Sequence, residues 1–453
     1  MPTTSPHLEQ HDHDRAGLLQ ALEAGDLDKV QRYCDEDLAP ADLAHIMESS
    51  PGRVRELLWD FLSDERQGAV LPHLNEDLQQ AFLAQMNAHE ILETTQDLDH
   101  DDLADLLQQI PEPVTRQVLS LMPPSDRATV EGLLAYPEDT AGGLMNTDLI
   151  TVRADVTLET VLRYLRRLEL PDHLDSLWVV NRQFRYVGLL PITKLLTHAP
   201  ETPVREIMQD DIEGIPATLH EDQVARRFER LDLVSAPVVN DEGILLGRIT
   251  VDDVVDVIRD SADHAVMSMA GLDEEDDIFA PVIRTTRSRA VWLGINMLTA
   301  FIAAAVMSQF EATIAQIVAL AVLSPVVASM GGIAGSQTLT VMIRGMATGH
   351  VKRDNLGWLI SRELGSGAVN GVLWASIIGA ITIGWYQDSD LALVIAAAIV
   401  INLVVAVCAG ATLPFLLKSL RIDPALAGTV VLTTITDVVG FLTFLSLATL
   451  FLL

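Results

Sequence analysis

The last stretch of the chain, Ala425 to Leu453, reads ALAGTVVLTTITDVVGFLTFLSLATLFLL. It is long enough to cross a bilayer core, which takes about 20 apolar residues in a helix. Its one ionisable residue is Asp437, near the middle. A carboxylate at that depth costs about 2.5 kcal/mol or more, so it usually faces a polar pathway or a partner. Thr429, Thr433 and Asp437 follow at i, i+4 and i+8, roughly along one helix face, with Thr434 and Thr436 flanking them. A hard cation such as magnesium wants oxygen ligands, keeps several of its waters and needs only one or two carboxylates. One Asp beside threonines suits a hydrated ion of that kind. The structural alternative is an Asp buried by hydrogen bonds to its threonine neighbours.

Four further apolar runs lie upstream, roughly 290–310, 312–343, 364–385 and 391–417, which predicts five spans and an all-α transmembrane domain over 289–453. Arg284, Arg287 and Arg289 precede the first span, Arg344, Lys352 and Arg353 follow the second, and Lys418 and Arg421 follow the fourth. The connections at Glu311 and at Asp388 and Asp390 hold no Lys or Arg. By the positive-inside rule the N-terminal part is cytoplasmic and the C-terminus faces out.

Within the second span, Ser324 to Ser336 reads SPVVASMGGIAGS. Proline and clustered glycines at membrane depth predict an interruption whose freed carbonyls line a pathway, a backbone irregularity tolerated where protein or a water-filled cavity surrounds it. Pro325, Gly331, Gly332, Ile333 and Gly335 are the candidate lining residues. Close helix packing is the other reading, because Gly331 and Gly335 have small-xxx-small spacing.

The soluble part has a different character. Residues 1–283 hold 21 Lys/Arg and 56 Asp/Glu, about −35, whereas 284–453 hold nine and seven, about +2. A surface that acidic repels nucleic acid and attracts cations, if it is more than a solvated face. The two cysteines, Cys34 and Cys408, lie in different halves and support neither a disulfide framework nor a thiolate zinc site. Residues 1–15 read as a flexible tail without the apolar core of a signal peptide, with His7, His11 and His13 at most a weak metal binder. The acidic run Asp273 to Asp277 reads as a flexible loop before the first span, with the collection of cations near the cytoplasmic mouth as the alternative.

Residues 16–135 show apolar residues at helical spacing, as in Leu18, Leu19, Leu22 and in Leu103, Leu106, Leu107, broken by prolines and Asp-rich turns. Asp42 to Met47 is echoed by Asp102 to Leu107, and Ser63 to Arg66 loosely by Ser125 to Arg127, which predicts an all-α superhelical domain of stacked hairpins. A second repeat follows. Gly143 to Leu149 aligns with Glu206 to Ile212, the strand Ser176 to Val180 with Ser235 to Val239, and the strand Tyr186 to Leu190, with Gly188, with Leu245 to Ile249, with Gly247. Final helices start at Thr193 and Asp252. This order resembles a tandem α/β CBS pair, repeat one over 136–200 and repeat two over 201–260, followed by a connecting helix and acidic linker over 261–288. Such pairs are regulatory and often bind adenine nucleotides, so the resemblance makes ATP a candidate ligand.

Over nearly its whole length the chain resembles the MgtE family of magnesium transporters. The residues responsible are Tyr136 to Met145, Thr250 to Val257, the Pro325 to Arg344 run with its Gly-Gly-x-x-Gly-x-Gln core, Asp423 to Leu426 and Thr436 to Gly440. The resemblance implies a homodimeric channel in the bacterial cytoplasmic membrane. It conducts Mg2+ inward and is closed by intracellular Mg2+ through the N-domain, the CBS pair and a connecting plug helix. Asp437 falls on the family's pore aspartate, and Thr433 and Thr429 on positions one and two turns earlier. Asp253 and Asp256 match acidic positions at the start of the linking helix. Asp101 and Asp105 share an N-domain helix face, and Asp222 and Asp232 match acidic sites in the second repeat, so these are the candidate regulatory metal ligands.

Two departures stand out. Ile333 replaces an Asn of the family's Gly-Gly-Asn pattern and has no side-chain oxygen, which keeps a cobalt or manganese transporter open as an alternative. The family's further acidic cluster on the linking helix is here Ser261, Ala262, Asp263, His264 and Ala265. A non-conducting Mg2+ or nucleotide sensor is the alternative from another class. No P-loop, nucleophile elbow or HExxH motif occurs, so an enzyme is not expected.

Overall fold

The computed structural model describes residues 17–453 apart from 19, 23, 169, 171–173, 273–278, 281 and 352–353. The histidine tail, the acidic run and the Lys352–Arg353 pair therefore lie outside the described residues. The chain forms two compact units, the first running to Ala262 and taking in Phe279 and Ala280 as well, the second starting at Asp263 and containing the rest.

The first unit opens with short helices: α1 (Leu27–Arg32), α2 (Pro40–Glu48), α3 (Gly52–Phe61), α4 (Asp64–Val70), α5 (Glu76–Leu83), α6 (Ala88–Thr94), α7 (His100–Gln108), α8 (Glu112–Leu121) and α9 (Pro124–Leu133). Local chemistry sets their starts. Ser63 and Asn75 accept backbone N–H groups at the N-termini of α4 and α5, and Asn87 forms a capping box with Glu90 at α6. Prolines stand in the first turn of α2, α8 and α9, where their missing N–H costs nothing. The echo between Asp42–Met47 and Asp102–Leu107 is real in three dimensions. Leu43, Ala44, Ile46 and Met47 on α2 are buried, as are Leu103, Ala104, Leu106 and Leu107 on α7. The second echo fails: Ser63 is a helix cap, but Ser125 lies inside α9 behind Pro123 and Pro124.

The repeat that follows makes two three-stranded sheets of the same topology, β1 (Thr151–Arg153), β2 (Ser176–Val180), β3 (Tyr186–Pro191) and β4 (Ile215–Pro216), β5 (Ser235–Val239), β6 (Leu245–Thr250). In each, the first pair is parallel and the second antiparallel, with a bulge at Val179/Val180 or Val238/Val239. Helices α10 (Leu158–Leu165) and α11 (Ile192–Thr197) belong to the first copy, α12 (Glu221–Leu231) and α13 (Val251–Met269) to the second. The copies exchange backbone: Leu189 of β3 bridges Gln209, and Arg248 of β6 bridges Asn146. Glycine is needed at each crossing, since a Cβ on Gly188 would lie 2.5 Å from the Gln209 carbonyl oxygen and one on Gly247 2.7 Å from that of Asn146. Asn146 and Gln209 are equivalent positions of the repeat, so one local rule is used twice.

Among the described residues, the second unit contains five helices long and apolar enough to span a membrane: α14 (Val282–Ser308), α16 (Ala319–Ala347), α17 (Leu356–Tyr386), α18 (Ser389–Ser419) and α19 (Pro424–Phe451). A short helix, α15 (Glu311–Gln316), precedes α16. The expected second span is corrected in two ways. The chain breaks at Ile317–Val318, so 312–343 is not one helix, and α16 then runs unbroken through Pro325 and the glycines. The Ser324 hydroxyl, one residue before the proline, donates to the Leu320 carbonyl and occupies part of the backbone hydrogen-bonding capacity there. α18 is the most enclosed span, packed against α16, α17 and α19, whereas α14 is left almost uncovered by the rest of the chain.

Candidate functional site

On α19, Thr429, Thr433 and Asp437 do lie along one stripe, and that stripe is at least partly uncovered. The Thr433 hydroxyl donates to the Thr429 carbonyl at 2.8 Å and that of Thr434 to Val430 at 2.8 Å. With the donor hydrogen spent on the backbone, each oxygen keeps lone pairs to accept from the waters of a hydrated cation. Thr436 is different: it is 0% exposed and turns into the helix contact.

The candidate lining residues of α16 divide in the same way. Pro325 and Ile333 are exposed, Ile333 at 55%, and Ser329 and Gln337 share that side. Gly331 and Gly335 are buried instead: Gly331 admits the Asn402 side chain, and a Cβ on Gly335 would lie 2.9 Å from Leu432 and 3.2 Å from the Ala406 carbonyl. They are packing positions, as small-xxx-small spacing allows. Gly332 lies between the two groups, with Thr436 Oγ1 3.9 Å from where its Cβ would be. Glu363 was placed outside the third span by sequence, but α17 includes it, and it accepts a hydrogen bond from the buried Thr338 of α16 at 3.4 Å. Asn402, the one amide in the fourth apolar run, was also passed over.

In the first unit, a cleft of about 590 Å³ is lined by Asp99, Asp101 and Asp102 at the start of α7, by Asp175, Ser235, Arg248 and Thr250, and by Asp252 and Asp253 at the start of α13. Asn146 donates to Asp99 and to Asp101, both at 3.2 Å, and Asp253 accepts from the Thr250 N–H at 3.0 Å and hydroxyl at 2.9 Å. Burial, then the charge of Asp102 and more distant acids including Asp253, raises Asp101 to about 7. Burial, followed by Glu138, Asp101, Asp102 and Asp253, raises Asp105 to about 8. Asp253 is raised as well, chiefly by burial. Asp101, Asp105 and Asp253 are thus brought into mutual electrostatic range, although no three His, Cys, Asp or Glu side chains among the described residues stand ready to hold an ion.

The other regulatory candidates lie elsewhere. Asp256 pairs with Arg259 at 3.6 Å, Asp222 with Arg226 at 3.7 Å and with the Ser261 hydroxyl at 3.4 Å, and Asp232 is the left-handed cap that ends α12. In the second unit, His264 lies 3.2 Å from Asp423, the residue that caps α19.

Comparison with known proteins accounts for this layout. A family described as divalent cation transporter matches residues 324–447, the MgtE intracellular N domain matches 38–139, and CBS domains match 141–201 and 204–260. A magnesium transporter MgtE of Thermus thermophilus is 33% identical over 96% of this chain and 98% of its own length. The chain belongs to the MgtE family of magnesium transporters. The MgtE of Bacillus subtilis is 28% identical, covering 92% of each chain. The solved cytosolic domain of the Mg2+ channel MgtE in complex with ATP is 34% identical, with 54% of this chain and 99% of that one covered and a TM-score of 0.49. The helical N-domain, the CBS pair and the five apolar helices are the parts of an MgtE protein, whose work is transport and not catalysis.

Proposed function

We propose that the chain, as a homodimer in the cytoplasmic membrane, conducts Mg2+ into the cytoplasm past Thr429, Thr433 and Asp437, and that cytoplasmic Mg2+ shuts the pathway. The observation that carries the reading is that this carboxylate stripe lies midway along a helix long and apolar enough to cross a membrane and is not closed off by its own chain. A second copy covering it, and the exposed Pro325–Ile333 face of α16, would enclose a polar route. Mg2+ would pass with much of its water shell, donating hydrogen bonds from bound water to Asp437 and to the threonine oxygens. The membrane potential supplies roughly 4.6 kcal/mol per 100 mV for a divalent ion, so no ATP hydrolysis is required. The charge pattern of the connections supports cytoplasmic N-terminal domains and an outward C-terminus.

Regulation rests on the acidic cleft. Carboxylates that are buried and also crowded by like charges hold protons in the absence of metal, and an incoming Mg2+ would displace those protons and favour the compact arrangement. Asp101, Asp105 and Asp253 carry this role; Asp222, Asp232 and Asp256 would contribute only through other contacts. ATP is a candidate ligand of the cleft, with a restriction: Arg248, whose Nε has no hydrogen-bond partner among the described residues, is the one basic residue in a lining rich in carboxylates. A triphosphate would enter there as its magnesium salt. Exposed Ile333 favours one second reading, a preference for cobalt or manganese, because the stripe offers no amide oxygen at that level.

Labelling tests the route. In a chain with Cys34 and Cys408 changed to serine, Thr433→Cys should react with a charged, water-borne thiol reagent, and Mg2+ should slow the reaction. An unreactive Thr433→Cys in folded protein contradicts an aqueous pathway along this stripe.

A further inference from the structure

We propose that Asn402 is a positioning residue for the ion pathway: it fixes α16 against α19 at the level of Ile333 and Asp437, and so sets how tightly the hydrated cation is held. The proposal rests on the reading that the ion passes Asp437.

Asn402 lies at the middle of α18 and is 0% exposed. Its Nδ2 donates to the Val327 carbonyl of α16 at 2.9 Å, and its Oδ1 meets no donor among the described residues. Val327 is followed by unbroken helix, so its carbonyl already has the i+4 N–H of Gly331 available. The amide is therefore not needed to satisfy the backbone. A buried amide with an orphan acceptor is costly next to an apolar group that packs equally well, so stability alone does not explain its place here.

The surroundings are cut to fit it. A Cβ on Gly331 would collide with the Asn402 amide, and one on Gly440 would lie 2.8 Å from Nδ2. Two helices have thus given up side chains at the same place to admit one side chain from a third. Gly440 is three residues beyond Asp437, and Gly331 is two residues before Ile333. Next to the notch, Gly332 packs on Thr436, the neighbour of Asp437. A directional bond at this point limits sliding of α16 along α18, which apolar packing alone would resist less. Moving α16 relative to α19 changes the gap between the two uncovered stripes.

The test uses the full-length chain in proteoliposomes as wild type, Asn402→Leu, Asn402→Ser and Asp437→Ala. Initial Mg2+ influx is measured against Mg2+ concentration, and the thermal midpoint is measured in detergent. Asn402→Leu keeps the four side-chain heavy atoms and their branching and removes the bond, although its methyl groups are bulkier than the amide. The expected result, in both Asn402→Leu and Asn402→Ser, is a half-saturating Mg2+ concentration raised about fivefold, with maximal influx within about twofold. If the leucine variant does not fold, Asn402→Ser decides on the same half-saturation reading. An unchanged half-saturation in the folded variant, with only a lower midpoint or yield, makes Asn402 a packing residue and overturns the proposal. Influx that persists in Asp437→Ala instead overturns the pathway reading itself.

Discussion

Asp105 on α7 keeps a buried carboxylate oxygen without a hydrogen-bond partner among the described residues, and Asp253 on α13 adds its charge to the burial that raises Asp105 toward neutrality. Two helices from different parts of the sequence thus bring like charges near one another, Asp253 lining the acidic cleft and Asp105 one turn along α7 from Asp101, which also lines it. That arrangement stores a demand for a counter-charge, which either protons or Mg2+ can meet.

The proton half of this balance has a definite sign. Asp101 and Asp105 are raised in the folded state to about 7 and about 8, above the usual range near 3.9 for an unfolded Asp. Their bound protons contribute stability that is fully present below about pH 4 and is lost as pH rises through those two values. In chelator, the thermal midpoint of the detergent-solubilised protein should fall from about pH 6 to about pH 9, and Mg2+ should restore more of it at the upper end. A midpoint that rises over that range contradicts the cleft as described.

Removing one charge should act like adding metal. Asp105→Asn is expected to raise the metal-free midpoint at alkaline pH, to shrink the gain produced by Mg2+, and to make influx less sensitive to Mg2+ inside the vesicle. Midpoints with and without Mg2+, and influx at stepped internal Mg2+, check this. An undiminished Mg2+ response in Asp105→Asn removes Asp105 from the sensor.

Much of this was legible from residues alone. The α19 stripe follows from helical spacing around Asp437, and the paired sheets follow from the repeat around Gly188 and Gly247. The glycines at 331 and 335 were harder, because an apolar run with clustered Gly suits a broken pore helix and a tight helix contact equally well; what decides is the neighbour each faces, Asn402 and Leu432. Asn402 itself gave a signal, an amide in an apolar run, but its meaning depends on three helices meeting. Glu363 was missed because its span was drawn from hydropathy, which ends a helix where charge begins, whereas α17 continues past it. Asp101 and Asp105 could be nominated by their shared helix face and Asp253 by resemblance, but their convergence is a tertiary fact.

Close backbone packing makes its own prediction. A Cβ on Gly410 would lie 2.5 Å from the Gly335 carbonyl oxygen, whereas one on Gly384 meets nothing within 4 Å. Gly410→Ala should destabilise the membrane unit by about 1–3 kcal/mol, read as a lower midpoint and less folded protein, and Gly384→Ala should not. Equal midpoints for the two variants contradict the α16–α18 contact.

Selectivity should respond at Ile333. Restoring an amide oxygen with Ile333→Asn is expected to shift the influx order among magnesium, cobalt, manganese and calcium toward magnesium. An unchanged order means that the hydrocarbon there is not what sets ion preference.

Influx of Mg2+ into vesicles held at an imposed inside-negative potential, compared between wild type, Asp437→Glu and Asp437→Ala, tests the conduction pathway most directly. Uptake should grow with the potential in wild type, survive at reduced rate in Asp437→Glu and vanish in Asp437→Ala although that variant is folded. Wild-type uptake by folded Asp437→Ala would contradict passage of the ion at this carboxylate.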